Sequence, residues 1–197
     1  MPETEKKRLF IALFPPAQMA AGLQAAAADL QKAMKARAVR WTRPEQIHLT
    51  LSFLGAVATS RLAEMESVLA AACKGHRRHA LRVAGLGCFP NANRPRILWA
   101  GLAGDLRPLQ ELKKAMDAGF AASGWVGEDR AFHAHLTIGR VAELDATGRR
   151  ELAEALAGEQ QRDFGEWELG RVDLMDSVLS PQGAAYTNLK SIALENR

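Results

Sequence analysis

The sequence predicts an α+β fold: a bilobal internal duplication in which two antiparallel sheets, flanked by helices, surround a central cleft. Three observations predict it. Segments of strand-type alternation recur in order at a nearly constant spacing. Ala- and Leu-rich helical stretches separate the strands within each recurrence. Turn residues, and no low-complexity linker, join one recurrence to the next.

The spacing is the strongest of the three. Ile47-His48-Leu49-Thr50-Leu51 matches Ala134-His135-Leu136-Thr137-Ile138 at an offset of 87 (135 − 48), and Arg8-Leu9-Phe10-Ile11-Ala12 matches Arg96-Ile97-Leu98-Trp99-Ala100 at 88 (96 − 8). Leu81-Arg82-Val83 meets Gly170-Arg171-Val172 at 89 (170 − 81), and Phe89-Pro90 meets Ser180-Pro181 at 91 (180 − 89). Alternating apolar segments resemble one another anyway, so one pair would mean little. Four in order point to a unit of about 90 residues used twice. We therefore expect one domain, 1–197, made of two pseudo-symmetric lobes with sequence repeats at about 8–92 and 95–194.

The elements follow in order. Each repeat opens with an apolar strand (8–14 and 95–102) and continues into a helix (16–36, and 105–122 after the candidate cap Asp105). A His-containing strand comes next (about 46–54 and 131–139), then a second helix (60–73 and 146–158). A longer strand closes each repeat (80–88 and 168–179). Turns at Pro90-Asn91-Ala92-Asn93-Arg94-Pro95 and Ser180-Pro181-Gln182-Gly183 lead back into strand, the last at 184–194.

Composition bounds the classes. The 197 residues are 48% hydrophobic and 24% charged with a net charge of +4, which excludes disordered and coiled-coil chains. A chain of this length buries roughly 70% of its unfolded surface and needs no staples. The two cysteines, Cys73 and Cys88, build neither a disulfide framework nor a thiolate zinc site and suit a reducing cytoplasm. No apolar run reaches the roughly 20 residues of a membrane span. Lys6-Lys7-Arg8 followed by Leu9–Phe14 imitates a leader, but its apolar run is shorter than the usual ~7–15 residues and ends at Pro15-Pro16, so it reads as a strand.

Chemistry concentrates on the two His-containing strands. Alternate side chains share a face, so Ile47, Leu49, Leu51 and Phe53 face one way and His48, Thr50 and Ser52 the other. In the second repeat Phe132, Ala134, Leu136 and Ile138 oppose His133, His135 and Thr137. A pseudo-twofold axis would bring the two His-x-Thr faces together across one cleft. Imidazoles titrate near neutrality, so one accepts a proton while the other donates one. The hydroxyls of Thr50 and Thr137 hold non-bridging phosphoryl oxygens, and Arg140 adds a bidentate grip. Acid, base and phosphate donors without a carboxylate cluster point to metal-free phosphodiester cleavage, best suited to a strained cyclic phosphate.

The rival reading takes His48, His133 and His135 as zinc ligands. Against it, His133 has no counterpart in the first repeat, which has Gln46 at that position, and no carboxylate falls on either polar face to orient a coordination shell. His76 and His79 sit in the basic stretch 74–79, read as a solvated loop with a weak RNA contact as its functional alternative. Gly85-x-Gly87 lacks the third glycine of a dinucleotide site, and no phosphate-binding loop for ATP is present.

At these residues the sequence resembles the two-histidine (2H) phosphoesterases, specifically the bacterial RNA 2′,3′-cyclic phosphodiesterases also called 2′-5′ RNA ligases. The resemblance rests on Arg8–Ala12, Trp41–Gly55, Arg94–Trp99, Phe132–Arg140 and Leu179–Tyr186, in family order across nearly the whole chain. Ala134 departs from it, since relatives often carry Pro there. The resemblance implies hydrolysis of an RNA 2′,3′-cyclic phosphate to a 2′-phosphomonoester, with His48 as proton donor and His135 as proton acceptor. Symmetry alone does not distinguish those two roles. It carries Arg140 over as a phosphate contact and suggests nucleotide contacts for Arg43 and Tyr186. It implies no metal or cofactor, a monomer in the cytoplasm, and RNA or a nucleotide ending in a cyclic phosphate as partner. ATP-independent joining of tRNA halves and cleavage of small cyclic nucleotides are alternative activities. A module that only binds RNA ends is the non-enzymatic alternative.

Overall fold

The computed structural model describes residues 5–35, 37–125, 131–180 and 183–196. In the first part of the chain, β1 (Lys6–Leu13), α1 (Ala17–Ala33), β2 (Val39–Trp41), β3 (Leu49–Ala58), α2 (Leu62–Cys73) and β4 (His79–Phe89) follow one another. In the second part come β5 (Ile97–Ala103), α3 (Arg107–Ala122), β6 (His135–Val141), α4 (Ala146–Ala157), β7 (Asp163–Leu169), β8 (Arg171–Ser180) and β9 (Gly183–Ala193). The second expected turn lies partly outside the described residues, at Pro181 and Gln182.

All pairings between these strands are antiparallel, in the order β7-β4-β5-β6-β3-β1-β8-β9, with β2 added to the end of β6. The order reads the same from either end when β1 is exchanged with β5, β3 with β6, β4 with β8 and β7 with β9. Its centre is the one pair Leu49–Leu136, each leucine directly following its histidine. The two expected sheets are thus two halves of one sheet, hinged at that pair. They splay on either side of it and leave a cleft.

The halves do not coincide with the sequence repeats. β4, from the first repeat, pairs with β5, and β8, from the second, pairs with β1. The short 90–96 connection explains the first exchange, because a tight antiparallel turn leaves β4 nowhere to pair but beside β5. The closing strand expected over 168–179 is interrupted at Gly170: β7 joins β4 in one half and β8 joins β1 in the other.

The helices pack on the face of the sheet away from the cleft. α1 covers β6 and β7 with α4 packed beside it, while α2 and α3 cover β3, β8 and β9. α1 buries Met19, Leu23, Ala26, Ala27 and Leu30 at i, i+3, i+4 spacing, which lays one stripe onto the strands. Leu9, Ile11 and Leu13 of β1 face these helices in one continuous core. Phe10 and Ala12, on the opposite face, form a smaller cluster with Met175, packed by Phe14 and Tyr186. That second cluster is the floor of the cleft.

Two expectations change in detail. Asp105 is not the cap residue of α3, which is Leu106, yet its carboxylate accepts the Arg107 backbone N–H at 3.1 Å. The stretch 74–79 is no free loop: the N–H of Arg78 and the carbonyl of His76 pair with Glu195 at 2.9 Å each, and His79 opens β4. Gly85 and Gly87 have structural reasons for being glycine. Gly85 adopts φ +74° at a bulge against the Gln160 carbonyl, and a side chain at Gly87 would overlap the Trp99 ring.

Candidate active site

His48, Thr50, His135, Thr137, Arg140, Arg43 and Tyr186 all line one cleft, a cavity of about 770 Å³ along the seam between the halves. The two histidines are oriented by the same backbone device. His48 Nδ1 lies 2.7 Å from the Gln46 carbonyl and His135 Nδ1 lies 2.6 Å from the His133 carbonyl. A carbonyl only accepts, so each Nδ1 carries the proton and donates it. Nε2 is then the nitrogen each ring offers for proton transfer.

Strict alternation would place Arg140 with Ile138 in the core and Phe53 with Leu51. Bulges prevent both. On β6, Thr137 pairs with Trp99 and Gly139 with Leu98, so Ile138 is the extra residue. Ile138 and Gly139 are buried in succession, and Arg140 emerges on the cleft side. On β3, Leu51 is the extra residue between the pairs Ala12–Thr50 and Ile11–Ser52. Ser52 turns to Asp117 of α3 at 3.2 Å, and Phe53 comes into the cleft, 41% exposed. These bulges correct the face assigned to Phe53, while Ser52 lines the cleft with His48 and Thr50 as expected. They also make Phe53 and Arg140 counterparts, each five residues after its histidine, a spacing visible in the sequence. Phe132, His133 and Ala134 precede β6, so the strand begins later than expected, but they keep the expected faces: Phe132 and Ala134 pack against the core and the exposed His133 lines the cleft.

The two rings sit in different surroundings. Phe10, Phe14 and Tyr186 surround His48 at centroid distances of 5.0, 5.3 and 5.4 Å. Burial pushes the His48 imidazole down to about 4, and the charge of Arg140 and the neighbouring His135 add to that, against the hydrogen bond to Gln46. His135 meets Phe89 edge-on at 5.1 Å. Burial lowers it too, helped by His133 and Arg140 and opposed by the hydrogen bond to the His133 carbonyl.

Arg43 lies in the cleft but its guanidinium is engaged, with Glu45 at 3.2 Å and the Ala184 carbonyl at 3.5 Å. The Gln46 side chain donates to the same carbonyl, which clasps the short helical turn Pro44–Gln46 against β9 beside Tyr186. The aromatic floor, Gln46 and the bulge partners are features that residue patterns did not single out. They come from pairing between distant strands. Among the described residues no three His, Cys, Asp or Glu side chains gather as a metal-ligand set, so the three imidazoles weighed above do not assemble as one. No helix among them is long and apolar enough to cross a membrane.

The family model described as "LigT like Phosphoesterase" matches residues 13–99 and 103–186. The chain is 31% identical over 156 residues to the RNA 2′,3′-cyclic phosphodiesterase of Methanothermobacter thermautotrophicus, covering 79% of this chain and 83% of that protein. It is 33% identical over 156 residues to that of Archaeoglobus fulgidus, covering 77% and 82%. A solved structure from Thermus thermophilus superposes with a TM-score of 0.76 at 28% identity, covering 95% of this chain and 97% of that one. E. coli LigT complexed with 3′-AMP gives a TM-score of 0.77 at 24% identity over 96% and 99%, a likeness of fold. With matches that span both halves of the sheet, the chain belongs to the LigT-like phosphoesterase family of the two-histidine superfamily.

Proposed function

We propose that this enzyme hydrolyses a terminal 2′,3′-cyclic phosphodiester of RNA to a 2′-phosphomonoester, without a metal, by paired acid–base catalysis from His48 and His135. The observation that carries it is the identical presentation of two imidazoles, each tied by Nδ1 to the carbonyl two residues back, in one cleft with Thr50, Thr137 and Arg140. The names of the relatives above support the substrate class.

In this reading His135 Nε2 takes a proton from water as its oxygen attacks phosphorus. Charge growing on the non-bridging oxygens meets the two threonine hydroxyls and Arg140. The bond from phosphorus to the 3′ oxygen breaks, and His48 gives that oxygen a proton. The products are a 2′-phosphate and a free 3′-hydroxyl, with one water consumed. His48 is neutral in the free protein because of its burial. The proton it delivers is therefore taken up from solvent as the substrate binds, because the phosphate charge favours the imidazolium. The two free thiols, Cys73 buried and Cys88 partly so, suit a reducing cytoplasm.

The test is incubation with an oligoribonucleotide ending in a 2′,3′-cyclic phosphate, with EDTA present. The expected result is full conversion to the 2′-phosphate at an unchanged rate. No product, or a rate abolished by the chelator, would sink the proposal.

A further inference from the structure

The cleft carries more positive charge than one phosphate needs. Arg8 of β1, Arg40 of β2 and Arg140 of β6 come from three strands and both halves of the sheet, and all line it. Arg40 stands directly opposite Arg140 in the β2–β6 register. Like charges in that position repel. None of the three has a carboxylate within ion-pairing distance among the described residues, whereas Arg61, Arg82, Arg107 and Arg171 all have one. The one carboxylate lining the cleft among those residues is Asp117, and Lys113 already holds it. Tyr186 lines the same cleft: burial holds its phenol above the ordinary range, and the charges of Arg140, Arg40 and Arg8 act against that shift.

A cyclic phosphodiester bears a single negative charge, which Arg140 matches. Arg8 and Arg40 remain. Arg8 shares the cleft face with Phe10, two residues or about 7 Å along the strand, and Phe10 packs against the His48 ring at 5.0 Å. Arg8 is therefore set further along the cleft face than the ring that packs on His48. We propose that Arg8 and Arg40 form a second phosphate site, which holds the internucleotide phosphodiester on the 5′ side of the terminal nucleotide and selects oligoribonucleotides over free cyclic mononucleotides. This rests on the hydrolysis proposed above and names its substrate more closely.

The experiment compares a trinucleotide ending in a 2′,3′-cyclic phosphate with the corresponding cyclic mononucleotide. The unaltered protein should show a kcat/KM at least about tenfold higher on the trinucleotide. In the Arg8→Gln/Arg40→Gln double variant that ratio should fall about tenfold, chiefly through KM. The Arg8→Lys/Arg40→Lys variant, which keeps both charges, should recover most of it. The dependence of trinucleotide affinity on salt should also weaken, by about 0.7 in the log–log slope for each phosphate that the variant no longer neutralises. A ratio near one in the unaltered protein, or a ratio within about twofold after the glutamine changes, overturns the second site. If the unaltered protein hydrolyses neither substrate, the proposed reaction itself fails. Fluorescence-anisotropy binding of a 3′-phosphorylated trinucleotide then decides the second site separately, and undiminished binding by the glutamine variant overturns it.

Discussion

His48 and His135 are delivered by the same backbone arrangement, each directly before a leucine of the central pair and each with Nδ1 bonded two residues back. Their seats differ. His48 rests among Phe10, Phe14 and Tyr186, over a small apolar cluster that includes Met175. His135 has Phe89 edge-on and an exposed His133 beside it. Further along the strands, one side offers an aromatic surface at Phe53 and the other a charge at Arg140. A repeated device thus positions two like groups, and side chains from other strands make them unlike. Acid and base acquire separate roles when their surroundings separate their protonation, and here that difference is built into the floor of the cleft.

The largest effect that tests this contrast is removal of each imidazole. His48→Ala and His135→Ala should each lower kcat by at least about 10²-fold, measured on the cyclic-phosphate oligonucleotide. A substrate whose 3′ oxygen is replaced by sulfur needs little protonation of its leaving group. It should restore much of the rate to His48→Ala and none to His135→Ala. Equal rescue of both would break the assignment of donor and acceptor.

Stability against pH sharpens the contrast next. The folded state holds His48 at about 4, below its ordinary 6.5, so the unfolded chain binds the proton more readily. The contribution of the neutral buried ring is therefore complete above 6.5 and lost as pH falls toward 4. Between pH 7 and pH 5 that loss amounts to about 2 kcal/mol from this one group. Urea unfolding at both pH values should show a smaller drop for His48→Gln than for the unaltered protein. His135→Gln should change the drop less. An identical pH dependence in all three proteins would remove the difference between the seats.

The smallest effect concerns the helices behind the halves. α4 is capped by Asp145, which accepts the Gly148 N–H at 2.7 Å, whereas its counterpart α2 begins without a side-chain cap. Asp145→Ala should cost about 1 kcal/mol in urea unfolding and leave the ratio of the two histidine effects unchanged. A loss below about 0.3 kcal/mol would show that packing alone holds α4.

Much of this organisation was legible in the residues because it is periodic. The two His-x-Thr segments, the helices between strands and the recurring spacing depend on local alternation and on residue type. Arg140 and Phe53 were less legible. Period-two counting sends both to the core, and only bulges opposite β5 and β1 bring them to the cleft. Arg43 was legible as a cleft residue, but its hydrogen bond to the Ala184 carbonyl depends on a strand some 140 positions later.

By itself the sequence determined the kinds of element, their order, and the two histidines with their threonines, since these follow from short-range pattern and chemistry. Tertiary structure alone decided that the repeats exchange their outer strands and that one sheet is hinged at Leu49–Leu136. It also decided which aromatic rings lie under His48. The physical reason is common to all three: a strand's partner and the bulges in its register are set by hydrogen bonding to distant segments, and no local pattern encodes them.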